Sequence, residues 1–82
     1  MEVYMKELLE DIVKSIVDKP DEVSIEVNDE SESTLIYELR VGEGDVGMVI
    51  GKKGRNVGAI RTLLSAATAK TGGKRALLEI IE

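Results

Sequence analysis

The feature that most restricts how this chain can fold is a glycine turn in its second half. Gly51 and Gly54 flank two lysines in the segment VIGKKGRNVGAI, residues 49–60. Glycine commonly ends helices and adopts the positive φ angles that other residues avoid. Apolar residues before and after the turn keep helical spacing. The segment therefore predicts two helices joined by a short, basic turn.

Periodicity in the first half predicts one helix and two strands. Residues 1–20 carry an apolar stripe at three- and four-residue spacing, and Pro20 is expected to close this helix. Residues 22–27 and 34–41 alternate apolar with polar side chains, which is the pattern of half-buried strands. The polar loop between them, residues 28–33, is short enough to join antiparallel neighbours.

The second half predicts two helices and a last strand. Asp45 is a favourable N-cap for a short helix at residues 46–50. A longer helix begins near Arg55 and stops at the glycines of residues 72–73. The segment RALLEII, residues 75–81, predicts a strand that is apolar enough to be central or packed on both faces.

The resulting order, α-β-β-α-α-β, predicts an α+β fold. Because two helices separate the second and third strands, these strands are expected to be parallel and joined by a crossover. The three-stranded sheet should then be mixed, with three helices on one face. A chain of 82 residues has room for one core. We expect a single domain over residues 1–82.

Composition argues against several classes of function. The chain has no cysteine and no histidine, which removes thiolate metal ligands, cysteine nucleophiles and the commonest general base near neutral pH. We expect neither a metal, nor another cofactor, nor an enzymatic activity. No apolar run approaches the roughly 20 residues of a membrane span, and no basic-then-apolar leader opens the chain. These features predict a cytoplasmic protein without a membrane partner.

The two halves of the chain differ in charge more than the net charge of −5 suggests. Residues 1–45 hold fourteen acidic and four basic side chains. Residues 46–78 hold no acidic side chain and seven basic ones, which are Lys52, Lys53, Arg55, Arg61, Lys70, Lys74 and Arg75. A ligand responds to the local field rather than to the net charge. This basic half is suited to an anionic ligand, and the alternative is a surface whose charges serve only solubility.

Three phosphate-binding motifs are candidates for the glycines of residues 42–54. GEGDVG, residues 42–47, matches G-x-G-x-x-G, but the acidic residue that a dinucleotide site needs about 20 positions later is missing. A Walker loop is excluded because no glycine is followed by Gly-Lys-Ser/Thr at the required spacing. The third candidate is the GKKG turn, whose glycines leave the backbone open to close approach. The helix N-terminus that follows it attracts anions.

At this turn the sequence resembles the signature of KH domains, in which a GxxG loop between two helices clamps about four nucleotides. The helix-first order is that of the type II KH arrangement. The resemblance extends over nearly the whole chain to the bacterial KhpA family, through KPDEVSIEV, DVGMVIGKKGR and AIRTLLSAATAK. It implies a cytoplasmic single-stranded RNA-binding protein with a role in RNA chaperoning or post-transcriptional regulation. It also implies a KhpB/Jag-type KH protein as a partner.

The resemblance assigns RNA contacts to the loop itself. Gly51 and Gly54 would let the RNA backbone approach closely, while Lys52, Lys53 and Arg55 would pair with phosphates. Three cations beside a helix N-terminus disfavour the helix by about 0.3–1 kcal/mol each. Their presence together there suggests that an anion compensates for them.

Three further residues are candidates at the edge of this site. Ile50 flanks the loop, although its main role is expected to be core packing, as for Val57 and Ile60. Arg61 lies two helical turns after the loop, and Arg40 is on the outward face of the second strand. Each arginine is a candidate to reach bases or sugars across the groove, and the alternative for each is a solvated surface charge.

One loop fits this interpretation poorly. Asp29, Glu30 and Glu32 lie in the loop of residues 28–33, and the resemblance implies that this loop faces the RNA groove. Carboxylates there would repel phosphate. They predict weak binding by a monomer, or binding that needs a partner.

The longer helix also predicts a protein contact. If its apolar stripe faces the core, Leu63 remains outside it, beside the small residues Ala59, Thr62, Ala66 and Ala69. Small residues let a second helix approach closely, so we expect a homodimer or heterodimer contact through this face. An alternative function follows: a protein-interaction module with a degenerate groove, acting through assembly with a KhpB/Jag-type partner.

Overall fold

A three-stranded sheet and the helices that cover it form the structure, a computed structural model that describes residues 2–29, 32–71 and 74–81. Its helices and strands are α1 (Glu2–Lys14), β1 (Ser24–Asn28), β2 (Thr34–Arg40), α2 (Val46–Ile50), α3 (Arg55–Thr71) and β3 (Arg75–Ile81). Single turns of 3₁₀ helix lie at Pro20–Glu22 and Lys52–Gly54. The second of these turns joins α2 to α3.

The sheet is mixed, as predicted, and its strand order is β1-β2-β3. Strand β1 pairs antiparallel with β2, which places Ile25 opposite Leu39. Strand β2 pairs parallel with β3, which places Tyr37 beside Leu78. The α+β class and the mixed three-stranded sheet are therefore confirmed.

One hydrophobic cluster joins the helices to one face of the sheet. Alternation along β1 and β2 buries Ile25, Tyr37 and Leu39 on that face. The helices add buried side chains to the same cluster, which are Leu9, Val13, Val49, Val57, Ile60 and Leu64. The sheet and helix faces that the sequence predicted to be apolar are the ones that form the core.

The first helix is shorter than predicted. It ends at Lys14 rather than at Pro20, and Pro20 instead opens the 3₁₀ turn Pro20–Glu22. The Ser15 hydroxyl donates hydrogen bonds of 2.8 Å to the carbonyls of Asp11 and Ile12. The Ser15 and Val17 N–H groups still donate to the Asp11 and Val13 carbonyls at 3.2 Å, so hydrogen bonds of the helical kind continue for a few residues after Lys14.

The position predicted for the last strand was wrong. Strand β3 lies at the edge of the sheet rather than in its centre. Only Leu78 is buried among its described side chains, whereas Leu77 is exposed on the opposite face. Apolar content alone does not distinguish an edge strand next to a helix from a central strand, because both have one face packed on the core.

Asp45 does not cap α2 through its side chain, which corrects a second prediction. The residue is only 2% exposed, and its Oδ2 accepts a 2.9 Å hydrogen bond from the backbone N–H of Lys19. The Lys19 Nζ in turn donates to the Glu43 carbonyl at 2.9 Å. Asp45 therefore ties the segment after α1 to the loop that leads into α2.

Two sequence predictions lie outside the described residues: the repulsive role of Glu30 and the helix stop at residues 72–73. Within residues 2–29, 32–71 and 74–81, no helix is long and apolar enough to cross a membrane.

Candidate functional site

The GKKG loop, residues 51–54, has an unusual backbone. Gly51 has φ 76° and ψ 171°, and Gly54 has φ 75°. Between them Lys53 has φ 58° and ψ 27°, which is the left-handed helical region. For a residue with a side chain that conformation costs about 1–2 kcal/mol. The loop thus keeps a locally unfavourable geometry that presents two lysines at its tip.

The two glycines of the loop are required for different reasons. A Cβ at Gly51 would lie 2.6 Å from Cγ and 2.8 Å from Nδ2 of Asn56. A Cβ at Gly54 would have no neighbour within 4 Å. Gly51 is therefore packed against the protein, whereas the space beside Gly54 is open to a ligand.

Three cations in and next to this loop form no ion pair with an acidic side chain among the described residues. Lys52, Lys53 and Arg55 are exposed, and none of them forms an ion pair within the part of the chain that the structure describes. Arg55 begins the 17-residue helix α3, so the partial positive charge of that helix terminus adds to theirs. The structure thus brings the five predicted loop residues together as one cationic surface.

A groove lies between α3 and the free edge of β3. It has a volume of about 440 Å³, and its lining includes Arg61 and Ser65 from α3 and Leu77, Leu78 and the acidic Glu79 from β3. Arg61 Nη2 donates to the Leu78 carbonyl at 3.4 Å. Arg61 lies six residues after Arg55, about 9 Å along the helix axis. Arg61 therefore lines this groove, and its contact with RNA stays a prediction.

Short helix α2 presents apolar side chains next to the loop. Met48 and Ile50 are each 38% exposed, whereas Val49 between them is buried. The core role expected for Val57 and Ile60 is confirmed, but the one expected for Ile50 is wrong. A helix of five residues can bury only one narrow face, and Ile50 lies away from it.

Arg40 lies away from this groove. Because Leu39 points into the core, its neighbour Arg40 projects from the outer face of the sheet. On that face the strand register sets Glu26, Glu38 and Glu79 side by side across three strands. Such a row of carboxylates repels phosphate, so an RNA contact by Arg40 stays a prediction without geometric support.

The acidic loop before β2 lies far from the GKKG loop. Asp29 forms an ion pair with Lys74, immediately before β3, and therefore lies at the end of the sheet where α3 finishes. The GKKG loop precedes the first residue of α3. The 17 residues of this helix separate the two loops by about 24 Å. The repulsion expected from Asp29 is reduced by both its distance and its ion pair.

The surface of α3 for which a protein contact was predicted is exposed. Leu63 is 55% exposed, and Ala59, Thr62 and Ala66 around it are exposed as well. Leu63 is two residues from both Arg61 and Ser65, which is about 200° around the helix from each. The Leu63 surface and the groove therefore lie on opposite sides of α3.

Sequence reasoning assigned no role to Asn56 or Met48. The Asn56 Nδ2 donates a 2.8 Å hydrogen bond to the Met48 carbonyl and so links α3 to α2 across the loop. Asparagine near the start of a helix ordinarily suggests a cap of that same helix. That it contacts the preceding helix depends on the angle between the two, which the sequence does not reveal.

Comparisons with known proteins identify the family of the chain. The family model KhpA/KhpB, KH domain, matches residues 6–80. A Borreliella burgdorferi protein named RNA-binding protein KhpA is 55% identical over 76 residues, 93% of this chain and 90% of the relative. Proteins of the same name from Clostridium acetobutylicum and Chlamydia trachomatis are 53% and 49% identical over 78 residues. These cover 94% and 95% of this chain and 100% and 97% of the relatives. The chain therefore belongs to the KhpA/KhpB KH-domain family.

Proposed function

We propose that this protein binds single-stranded RNA without catalysis, and acts in the bacterial cytoplasm as an RNA chaperone or post-transcriptional regulator. The observation that carries the proposal is the cationic GKKG loop: three exposed cations without acidic partners in the described residues, next to open space at Gly54. The relatives named RNA-binding protein KhpA support it. So does the helix-first element order, which matches the type II KH arrangement.

In this proposal the RNA backbone crosses the loop at Gly54, where no side chain obstructs it. Lys52, Lys53 and Arg55 neutralise phosphates, which supplies affinity that does not depend on base sequence. The bases then extend into the groove toward Arg61 and the edge of β3. Tyr37 is buried and gives no stacking surface, so base contacts along the sheet come from aliphatic and polar groups. Weak sequence preference is the consequence.

The proposal is tested by binding of a mixed-sequence single-stranded RNA to the wild type and to Lys52→Asp/Lys53→Asp. The control is Lys6→Asp/Lys14→Asp, which makes the same change in net charge on α1. Circular dichroism verifies that each variant is folded. We expect the loop variant to lose binding and the α1 variant to retain most of it. Equal binding by both variants, or none by the wild type, would refute the proposal.

A second function, assembly through α3, is favoured by the exposure of Leu63 among small residues. A partner helix on this surface leaves the groove free, because the two lie on opposite sides of α3. The partner in this proposal is a second copy of the chain or a KhpB/Jag-type KH protein. Such pairing would join two RNA-binding surfaces and compensate for weak binding by each.

Sedimentation of Leu63→Lys tests the assembly proposal. Leu8→Lys on α1 is the matched control, because Leu8 is also a partly exposed leucine, at 38%. We expect the wild type and Leu8→Lys to sediment as dimers, alone or with the KH partner, and Leu63→Lys to sediment as a monomer. A Leu63→Lys protein that keeps the wild-type assembly state excludes this surface.

A further inference from the structure

Asn56 and Gly51 form a contact that reaches across the GKKG loop. The Asn56 side chain extends back from the first turn of α3, and its Nδ2 donates to the Met48 carbonyl at 2.8 Å. The same side chain lies against Gly51, where an added Cβ would come within 2.9 Å of three of its atoms. One side chain thus contacts both the end of α2 and the first residue of the loop.

The Met48 carbonyl needs this donor because α2 ends early. In a continuing helix the N–H of Lys52 would donate to the Met48 carbonyl. Gly51 donates to the Gly47 carbonyl at 2.9 Å, and its own φ and ψ then turn the chain out of the helix. Asn56 takes the place of the helical donor. The direction in which the chain leaves α2 is therefore fixed by a residue that follows the loop.

We propose that Asn56 is a positioning residue for RNA binding, one that holds the GKKG loop in its bound geometry by interlocking with Gly51. The proposal rests on the proposed RNA-binding function. Asn56 carries no charge, so its contribution differs from that of the cations. Its loss leaves the number of phosphate contacts unchanged but lets the loop sample other conformations, and binding must then order the loop again.

The expected effect of Asn56→Ala is an RNA affinity weaker by about three- to tenfold, the equivalent of one hydrogen bond. The slope of log Kd against log salt stays at the wild-type value, because that slope counts phosphate contacts. Asn56→Leu, which keeps most of the volume but has no donor, shows the same loss. A residue with a merely structural role would lower the melting temperature and leave the Kd of the folded protein unchanged.

A double-mutant cycle tests the interlock directly. Gly51→Ala is introduced into the wild type and into Asn56→Ala, which removes the two closest atoms that a Cβ would meet, Cγ and Nδ2, and leaves only the residue 56 Cβ at 2.9 Å. The cost of Gly51→Ala in RNA affinity is expected to be smaller in the second background, by about threefold or more. Gly54→Ala is the matched control, because its φ is nearly the same and its Cβ would meet nothing. The loss of RNA affinity caused by Gly54→Ala is expected to be equal in both backgrounds.

Hydrogen exchange of the free protein separates this inference from the RNA-binding proposal. Asn56→Ala and Asn56→Leu are expected to speed exchange at residues 51–55 and to leave the sheet unchanged. If the wild type does not bind RNA, the proposed function is overturned together with the role in binding, and exchange alone decides whether Asn56 holds the loop. Unchanged loop exchange, wild-type affinity of Asn56→Ala, or equal costs of Gly51→Ala in both backgrounds would each overturn the inference.

Discussion

Removing the loop cations one at a time should lower the salt dependence of RNA binding in equal steps. The three variants are Lys52→Gln, Lys53→Asn and Arg55→Gln. Asparagine is chosen at position 53 because it tolerates the left-handed backbone that Lys53 adopts. Each substitution removes one charge and keeps a polar side chain.

The magnitude follows from the number of cations at the loop. Each phosphate contact contributes a slope of about −0.7 for single-stranded nucleic acid, so three contacts predict a slope of about −2. Between 50 and 200 mM salt the wild type should then lose affinity by roughly twentyfold. Each single variant should have a slope of about −1.4 and lose roughly sevenfold over the same range.

Fluorescence anisotropy of a labelled RNA, titrated at four salt concentrations, measures these slopes. Lys74→Gln is the control, because Lys74 is paired with Asp29 at the far end of α3 and should not change the slope. A wild-type slope flatter than about −1 would refute the three-contact count. So would loop variants with the slope of the wild type, or a Lys74→Gln protein with a slope as reduced as theirs.

Two further predictions concern stability and are measured by urea unfolding. Asp45→Ala removes the buried acceptor for the Lys19 N–H and should lower the free energy of unfolding by about 1–3 kcal/mol. Glu43→Ala is the control, because Lys19 contacts the backbone carbonyl of Glu43 and not its side chain. This variant should change the free energy of unfolding by less than about 0.5 kcal/mol. Equal effects of the two would contradict the role of Asp45. Leu39→Ala empties a fully buried position in the central strand and should cost about 2–5 kcal/mol. The exposed Leu77→Ala should cost about 0.5 kcal/mol, and a similar loss from both would contradict the assigned core.

The loop cations illustrate how a net acidic protein can present a basic site. Glu26 and Glu38 point to the outer face of the sheet by strand alternation, while Lys52 and Lys53 lie beyond the opposite, helix-covered face. In the proposed mode of binding, an RNA that approaches the acidic face is repelled, and one that approaches the loop is attracted. The charge distribution thus favours one orientation of binding.

Helix α3 carries the residues of two proposed activities, RNA binding and assembly, on opposite sides. Arg61 faces the groove and Leu63 faces away from it, although only one residue lies between them. A helical period of 3.6 residues makes this possible. A dimer formed through Leu63 would carry two GKKG loops that both remain accessible to RNA.

Local patterns were sufficient to predict most of the secondary structure and the loop. Alternation identified the inward residues of β1 and β2, and the glycine pair located the boundary between α2 and α3, because both signals depend on neighbours within a few residues. The cationic character of the loop was equally visible, since Lys52, Lys53 and Arg55 are adjacent in the chain.

The tertiary structure was needed wherever a residue acts on a distant one. The edge position of β3, the exposure of Ile50 and the separation of Arg40 from the groove depend on how elements pack, which a single strand or helix does not encode. Asp45 bonds to Lys19, 26 residues away, and not to its own helix. Asn56 reaches back eight residues to Met48 because the loop folds α3 against α2. Side-chain contacts of this kind follow from the angles between elements, and those angles come from the whole core.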